Sequence, residues 1–159
     1  MADLKQKFGT SNQALTITVA SLTNTSVRQS TVVDNSSNLF FDAIVSVKLK
    51  TNASGTSATG VCNVYAYGTA DGGTTYTGGA SGSDGAYTAD GLNLHLLGTL
   101  TTNANATTYT GTFNLSRVFG YGGLPTGWGV IVENLSGATL DATGGNHAVL
   151  YQGIYAQSA

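Results

Sequence analysis

The chain has 159 residues, of which 41% are hydrophobic and only 9% carry a charge. Average soluble domains have about 25% charged residues, and a chain of this length forms one domain with a substantial core. The six basic residues are dispersed and the net charge is −2, which excludes the clustered Lys and Arg of a nucleic-acid binder. The hydrophobic content excludes a disordered chain, and no apolar run is long enough for a membrane helix.

Residues 1–12 are interpreted as an N-terminal arm that precedes a single β-domain over residues 13–159. The arm carries Lys5, Lys7 and Phe8, and it is either a contact element of an assembly or a disordered tail. It has no apolar segment of the kind found in secretion signals. We therefore expect the protein to be made, and at first kept, in the cytosol.

The domain is predicted to be all-β, because Thr, Val, Ile and Tyr favour strands while Gly, Asn and Ser break helices. Alternation of apolar and polar residues predicts about eight strands. They cover residues 13–22, 26–33, 40–50, 60–69, 92–100, 106–118, 127–134 and 146–156. Short antiparallel strands at this spacing favour a two-sheet sandwich, with a jelly roll as the leading topology.

A long polar segment, residues 70–91, interrupts the strands and contains three Asp-Gly pairs, at 71–72, 84–85 and 90–91. Asp-Gly favours tight turns. Connections longer than about 15 residues are uncommon and tend to be functional. The segment is predicted to be a loop with a possible short hairpin around Tyr76 or Tyr87.

The sequence lacks the motifs of catalytic and metal sites. Cys62 lies in an apolar run and is expected to be a small buried residue, and one cysteine excludes an internal disulfide. His95 and His147 have no partner at metal-ligand spacing, and the Asp-Gly turns lack the ligand pattern of a calcium loop. No nucleophile, metalloprotease or phosphate-loop motif occurs. We predict a protein that is not an enzyme and has no cofactor.

Aromatic residues and sheet edges offer two routes to recognition. Eight tyrosines and Trp128 could form a platform for sugars, although most of these tyrosines fall on predicted strands, where Tyr is a packing residue. Trp128 begins a strand and is expected in the core or in an interface. Monomeric sandwiches protect their edges with Lys or Pro. This chain has few of either, so its edges are expected to be covered by neighbouring subunits or by its own loops.

Three stretches resemble a known family: LSRVFG (115–120), LPTGWGVIVENLSG (124–137) and HAVLYQG (147–153). They are similar to small Thr/Gly-rich virion structural proteins of tailed bacteriophages. The resemblance implies a virion role without catalytic residues. Capsid decoration, or cement, proteins of this kind are often β-rich trimers on the shell.

Two functions are therefore expected. The first is a capsid cement or decoration protein that contacts the major capsid protein or another virion protein and forms a homo-oligomer, with a trimer favoured. The alternative is a tail- or fibre-associated module that binds receptor glycans through exposed aromatics, with residues 70–91 as the binding rim. The candidate contact residues are Lys5, Lys7, Phe8, Asp71, Tyr76, Tyr87 and Trp128.

Overall fold

The computed structural model describes residues 3–88, 93–120 and 122–158. Within these ranges the chain forms eleven strands. They are β1 (Leu4–Phe8), β2 (Gln13–Ala14), β3 (Val27–Gln29), β4 (Val33–Asp34), β5 (Asp42–Lys50), β6 (Val61–Thr69), β7 (Gly85–Ala86), β8 (His95–Thr101), β9 (Thr108–Asn114), β10 (Gly127–Leu135) and β11 (Ala148–Ser158). The described helices are the one-turn α1 (Ser116–Phe119) and two 3₁₀ turns, Thr77–Gly79 and Gly144–Asn146. None of them has the length and apolar character needed to cross a membrane.

The strands form two antiparallel sheets. The first sheet has the order β1-β11-β5-β9, with β2 also pairing with β11; the second has the order β7-β3-β10-β6-β8, with β4 pairing with β10. Without the two-residue strands β2, β4 and β7, eight principal strands remain. Principal strands that follow one another along the chain lie in opposite sheets, except for β6 and β8, which lie in the same sheet. This alternation between the sheets is the topology of a jelly roll. The predicted two-sheet antiparallel sandwich is confirmed, and the higher strand count comes from the three short additions.

Alternating apolar residues fill the space between the sheets. The side chains of Ala43, Val45, Val47 and Leu49 in β5 are at most 1% exposed, so one face of this predicted strand is buried. Phe41 lies within the predicted range 40–50, but it precedes the observed strand and is 37% exposed. The opposite wall of the core includes Val64 and Ala66 of β6 and Trp128, Val130 and Val132 of β10.

Several strand glycines make room for aromatic rings. An added Cβ would lie 2.5 Å from the Phe40 ring at Gly153 and 2.4 Å from the Tyr67 ring at Gly129. At Gly98 it would lie 2.4 Å from the ring of Phe113. Glycine inside a strand often marks such a close approach. The glycine-rich composition is therefore partly a packing requirement of the sheets.

The predicted strand 13–22 forms ladder pairs only at Gln13–Ala14. The backbone then crosses between the sheets: Leu15 N donates to Val149 O in the first sheet, while Thr16 O accepts from Thr31 N beside the second. Leu15 and Val19 are nonetheless buried. The apolar alternation of this segment thus reflects burial along a crossing connection rather than a regular strand.

Other boundaries differ in smaller ways. The predicted strand 106–118 ends at Asn114 because α1 follows, and Gly120 closes that turn with a left-handed φ of 67°. The predicted strand 92–100 corresponds to β8, which begins at His95, and residue 92 lies outside the described residues. The Asp-Gly pair at 90–91 also lies outside them.

The described part of the polar segment, residues 70–88, packs on the outer face of the second sheet. Ala80 and Tyr87 of this segment are buried against Val27, Tyr67 and Ile131 and form a second, smaller apolar cluster. Its strand β7 pairs with β3, so this sheet edge is covered by the chain's own loop. The short strand beside Tyr87 therefore extends the sheet instead of forming the hairpin that the sequence suggested.

Candidate functional site

The structure distributes the seven sequence-predicted contact residues over three places. Lys5, Lys7 and Phe8 lie on strand β1, all of whose residues are exposed. Asp71 and Tyr76 lie in the segment that follows β6, at one end of the second sheet. The remaining two, Tyr87 and Trp128, are 8% and 0% exposed.

Trp128 and Tyr87 are packing residues. The Trp128 ring meets the Tyr151 ring edge-to-face at a centroid distance of 5.1 Å, and Tyr87 belongs to the smaller apolar cluster. Side chains this buried reach no partner without unfolding of their surroundings. For Trp128 the core position, which the sequence left open beside an interface position, is the one observed.

Asp71 organises the start of its loop. Its carboxylate accepts hydrogen bonds from the Thr69 hydroxyl at 2.7 Å and from the backbone N–H groups of Thr74 and Thr75, both at 3.0 Å. The Thr75 hydroxyl also donates to it. These bonds, those from Thr75 first, hold the pKa of Asp71 well below its usual range. Through these four hydrogen bonds the Asp71 carboxylate stabilises the conformation of the loop beside the neighbouring cleft.

A cleft of about 200 Å³ opens where this loop meets the ends of β4, β6 and β10. We refer to it as the loop cleft. It is lined by Val32, Asp34, Ser36, Thr69, Gly72, Gly73, Tyr76, Thr126 and Gly127. Gly72 and Gly73 adopt left-handed φ angles of 73° and 92°, a conformation that suits glycine. Of the residues that line the cleft, Tyr76 alone was a predicted contact residue.

Tyr76 supplies the aromatic wall of the loop cleft. The ring is half-buried and stands edge-on against Tyr67, with centroids 5.7 Å apart. A Cβ at Gly73 or Gly82 would approach the Tyr76 hydroxyl to 2.9 or 2.7 Å. Loop glycines therefore allow the ring to occupy this position, and its orientation is fixed by close packing.

Asp34 supplies the negative charge of the loop cleft. It is exposed, its carboxylate accepts the Ser36 N–H at 2.8 Å, and hydrogen bonds from the Ser36 side chain and backbone lower its pKa. Across the cleft the Thr126 hydroxyl donates to Thr69 O at 3.0 Å and keeps lone pairs that can accept. The cleft thus offers one aromatic ring, one carboxylate and hydroxyl groups.

In the described part of the chain no three His, Cys, Asp or Glu side chains are grouped in a way that could hold a metal ion. His95 packs edge-to-face on Phe119 at 5.3 Å. A ring nitrogen of His147 lies 2.8 Å from Asp141 O, in hydrogen-bond contact. Both histidines therefore have structural contacts.

A second polar group, which we call the Glu133 patch, lies on the outer face of the second sheet. It consists of Asn63, Tyr65, Leu96, Thr99 and Glu133. The Glu133 carboxylate accepts the Tyr65 hydroxyl and the Asn63 amide, both at 2.9 Å, and Thr99 donates to the Asn63 carbonyl at 2.8 Å. Burial first, and then the bond to Glu133, raises the pKa of Tyr65, so the phenol remains a donor.

The sequence analysis did not identify the Glu133 patch. Alternation alone places Asn63 and Tyr65 on one face of β6 and Glu133 on one face of β10. Their meeting depends on the register, which sets Asn63 opposite both Glu133 and Thr99. Register between strands far apart in sequence is not readable from either strand alone.

Strand β1 is the third candidate surface. It pairs with Ile154–Ser158 of β11, whereas β5 stops at Asp42, opposite Ile154. The β1–β11 ribbon therefore extends beyond the rest of its sheet. Leu4 is 78% and Phe8 52% exposed, and the Lys7 ammonium lies 5.7 Å from the centre of the Tyr155 ring. The predicted arm thus carries an exposed strand.

No protein-family profile and no curated protein matches the chain. Among solved structures it is similar to the cysteine protease and lectin-like domains of Cwp84, a surface layer associated protein of Clostridium difficile, with 14% identity and a TM-score of 0.36. That match covers 97% of this chain but only 36% of the other, so the chain spans about a third of it.

Two further structures match over nearly their whole length. CBM35 from Cellvibrio japonicus Abf62 has 10% identity and a TM-score of 0.33, with 100% of this chain and 98% of that chain covered. Peanut lectin with a 9mer peptide has 10% identity and a TM-score of 0.31, with 99% of each chain covered. Likenesses this distant do not tell what the present chain binds.

Proposed function

We propose that the protein is a glycan-binding β-sandwich module, of the kind that a phage tail or fibre uses to recognise a receptor, and that it binds without catalysing a reaction. The observation that carries this proposal is the loop cleft, where the Tyr76 ring and the Asp34 carboxylate face one small cavity. The tail or fibre setting rests on the resemblance of the sequence to virion proteins.

The chemistry of a sugar ring fits this cleft. A pyranose has one face of C–H groups, which packs against an aromatic ring, and a rim of hydroxyls that donate to a carboxylate. Pockets for drug-sized ligands measure about 300–1,000 Å³. A cleft of about 200 Å³ therefore suits a single sugar ring, with the rest of the glycan outside.

Charge narrows the class of glycan. Asp34 is ionised at neutral pH, as an ordinary aspartate is, and hydrogen bonds lower its pKa further. The described residues that line the loop cleft include no Lys, Arg or His. An acidic sugar would face this carboxylate without a compensating cation, and like charges at short range disfavour binding. We expect neutral glycans to bind in preference to sialylated or uronic ones.

Glycan-array screening followed by calorimetric titration tests the proposal. We expect a neutral glycan to bind, and Tyr76→Ala to weaken it roughly tenfold, since aromatic packing contributes about 0.5–1.5 kcal/mol beyond area burial. Asp34→Asn should weaken it as well, and Asp3→Asn, an exposed aspartate outside the cleft lining, serves as the matched control. Absence of binding by any neutral glycan at millimolar concentration would contradict the proposal.

A second candidate function is capsid decoration, and exposed strand β1 favours it. Leu4 and Phe8 on an accessible strand are suited to burial against the major capsid protein or another virion protein. Binding of the purified protein to shells assembled from that capsid protein would be measured by sedimentation. We expect saturable binding that is lost when residues 3–8 are deleted; unchanged binding by the deletion variant would remove β1 from this role.

A further inference from the structure

Several charged residues lack an ion-pair partner among the described residues, and Lys5 and Glu133 are two of them with opposite sign. The ion pairs there are Arg28–Asp84 and Lys50–Asp141, which leaves out Lys5 on β1 and Glu133. Lys5 is exposed. Lys7, its neighbour on the same face of β1, lies over the Tyr155 ring. Lys5 is thus the cation of the arm that forms neither an ion pair nor a cation–ring contact with the described residues.

The Glu133 carboxylate is held in a fixed orientation by hydrogen bonds to one of its two oxygens. The Tyr65 hydroxyl and the Asn63 amide both donate to Oε2, while Oε1 accepts no hydrogen bond from the residues that the structure describes. These donors fix the orientation of the half-buried carboxylate. Leu96 beside them is 52% exposed and lies opposite Tyr65 in the ladder. A lysine would find an anion for its ammonium group and an apolar surface for its methylene stem.

Lys5 and Glu133 do not pair within one molecule. They belong to different sheets, and Glu133 lies on the outer face of its sheet. The Asn35 side-chain amide donates to Phe40 O, just before β5, and to Pro125 O, just before β10. The start of β5 is therefore close to the start of β10. The β1–β11 ribbon adjoins the same end of β5. Glu133 lies six residues along β10 from Gly127, a distance of about 20 Å at the usual rise per residue.

We propose that the chain associates head to tail, with β1 of one copy docked on the Glu133 patch of the next copy and Lys5 paired with Glu133. The charges are complementary, and the partly buried carboxylate is less screened than a surface charge. Two different surfaces take part, so the contact is heterologous and either closes into a ring or continues as a chain. The interface uses surfaces other than the loop cleft.

The test measures mass by light scattering after size exclusion over a concentration series, with the full chain. We expect a mass above the 16.1 kDa monomer that falls as NaCl is raised from about 0.05 to 0.5 M. Lys5→Glu and Glu133→Lys should each raise the dissociation constant at least about tenfold. Arg117→Glu, which reverses an exposed cation on α1, should leave it unchanged.

Mixing Lys5→Glu with Glu133→Lys gives the decisive observation. In the mixture, position 5 of the Lys5→Glu variant is negative and faces position 133 of the Glu133→Lys variant, which is positive. The unaltered Lys5 and Glu133 also still match, so the mixture should associate although each variant alone does not. Glu133→Gln keeps the acceptor for Tyr65 and Asn63 and serves if Glu133→Lys fails to fold. A wild-type monomer at every concentration, association unaffected by Lys5→Glu, or a mixture that stays monomeric would overturn the proposal.

Discussion

Asn134 shows how a single buried side chain can hold several segments together. Its amide donates to Leu22 O and Ala138 O, both at 2.8 Å, and its carbonyl accepts the Ser136 N–H at 3.0 Å. The residue is completely buried. Both amide protons and the carbonyl oxygen are therefore used at a place where water cannot replace their partners.

Asn134→Leu is expected to lower the free energy of unfolding by about 3 kcal/mol, because it leaves buried backbone groups without partners while nearly preserving volume. Urea denaturation followed by tryptophan fluorescence measures this, since the single Trp128 lies in the core. The control is Asn114→Leu at an exposed position of β9, for which we expect a change within about 0.5 kcal/mol. Equal effects of the two substitutions would contradict the assignment.

Tyr67 links stability to alkaline pH. Burial raises its pKa from 10.0 to about 12, and its hydroxyl donates to Ser30 O at 2.7 Å. A raised folded-state pKa means that the folded state favours the neutral phenol. The contribution of the neutral Tyr67 phenol to the free energy of unfolding is complete below pH 10 and is lost as the pH rises toward 12. Absorbance titration of the phenols should show a late tyrosine step that Tyr67→Phe removes.

At the scale of elements, pairs of a glycine and an aromatic ring determine how closely neighbouring segments pack. Phe40, just before β5, lies against Gly153 of β11, and Tyr67 of β6 lies against Gly129 of β10. A side chain at either glycine would displace a ring from its place. Glycine has a low β-propensity and therefore weakens the prediction of a strand. At these positions, however, the packing of the segments requires it.

Gly153→Ala should cost about 1–3 kcal/mol of folding free energy, because the new methyl group would lie 2.5 Å from Phe40 ring carbons. Thermal unfolding measures this as a fall in Tm of about 2–4 °C per kcal/mol for a chain of this size. Gly144→Ala is the control, since its Cβ meets nothing within 4 Å. An unchanged Tm for Gly153→Ala would show that Phe40 can move without penalty.

Sequence patterns predicted strands well where both ends of a strand are marked by turns. Strands β5, β6, β10 and β11 agree with their predicted ranges to within two residues. The range 13–22 was wrong as a continuous strand, because burial of Leu15 and Val19 produces the same alternation as a ladder. The two-residue strands β4 and β7 arise from tertiary pairing with β10 and β3, which no local pattern encodes.

At the scale of the whole molecule, the jelly roll controls its sheet edges in different ways. The β3 edge is covered by β7, which fulfils one of the two expectations for edges in a chain poor in Lys and Pro. The edge at β1 instead carries Lys5 and Lys7 in an exposed strand. Lysines on an edge discourage indiscriminate strand pairing and leave room for a partner of opposite charge.

Deleting residues 3–8 should leave the sandwich folded, with a loss of at most about 1 kcal/mol, because no β1 side chain is buried. Circular dichroism and urea denaturation would show an unchanged β-spectrum and one cooperative transition. The same variant should fail to self-associate under the head-to-tail arrangement. Loss of cooperative unfolding would instead mean that the ladder with β11 is needed for the fold.

The candidate site was less predictable than the fold. The Asp-Gly loop and Tyr76 pointed to the end of the sheet where the loop cleft lies, but Asp34 and Thr126 reach this cleft from segments distant in sequence. The sequence also could not separate Tyr76, at the cleft wall, from Tyr87, buried beneath the loop. The difference in burial between the two tyrosines depends on how the loop packs against the second sheet.

The pairing of β1 with β11 has a consequence for protein engineering. Leu4 lies opposite Ser158, so a linker of a few residues would join the two ends of the described chain, given a strand spacing of about 5 Å. New ends could then be opened in the exposed connection between β8 and β9, at residues 103–106. Such a circular permutant would preserve the ladders of both sheets and move the fusion point for a cargo to that connection.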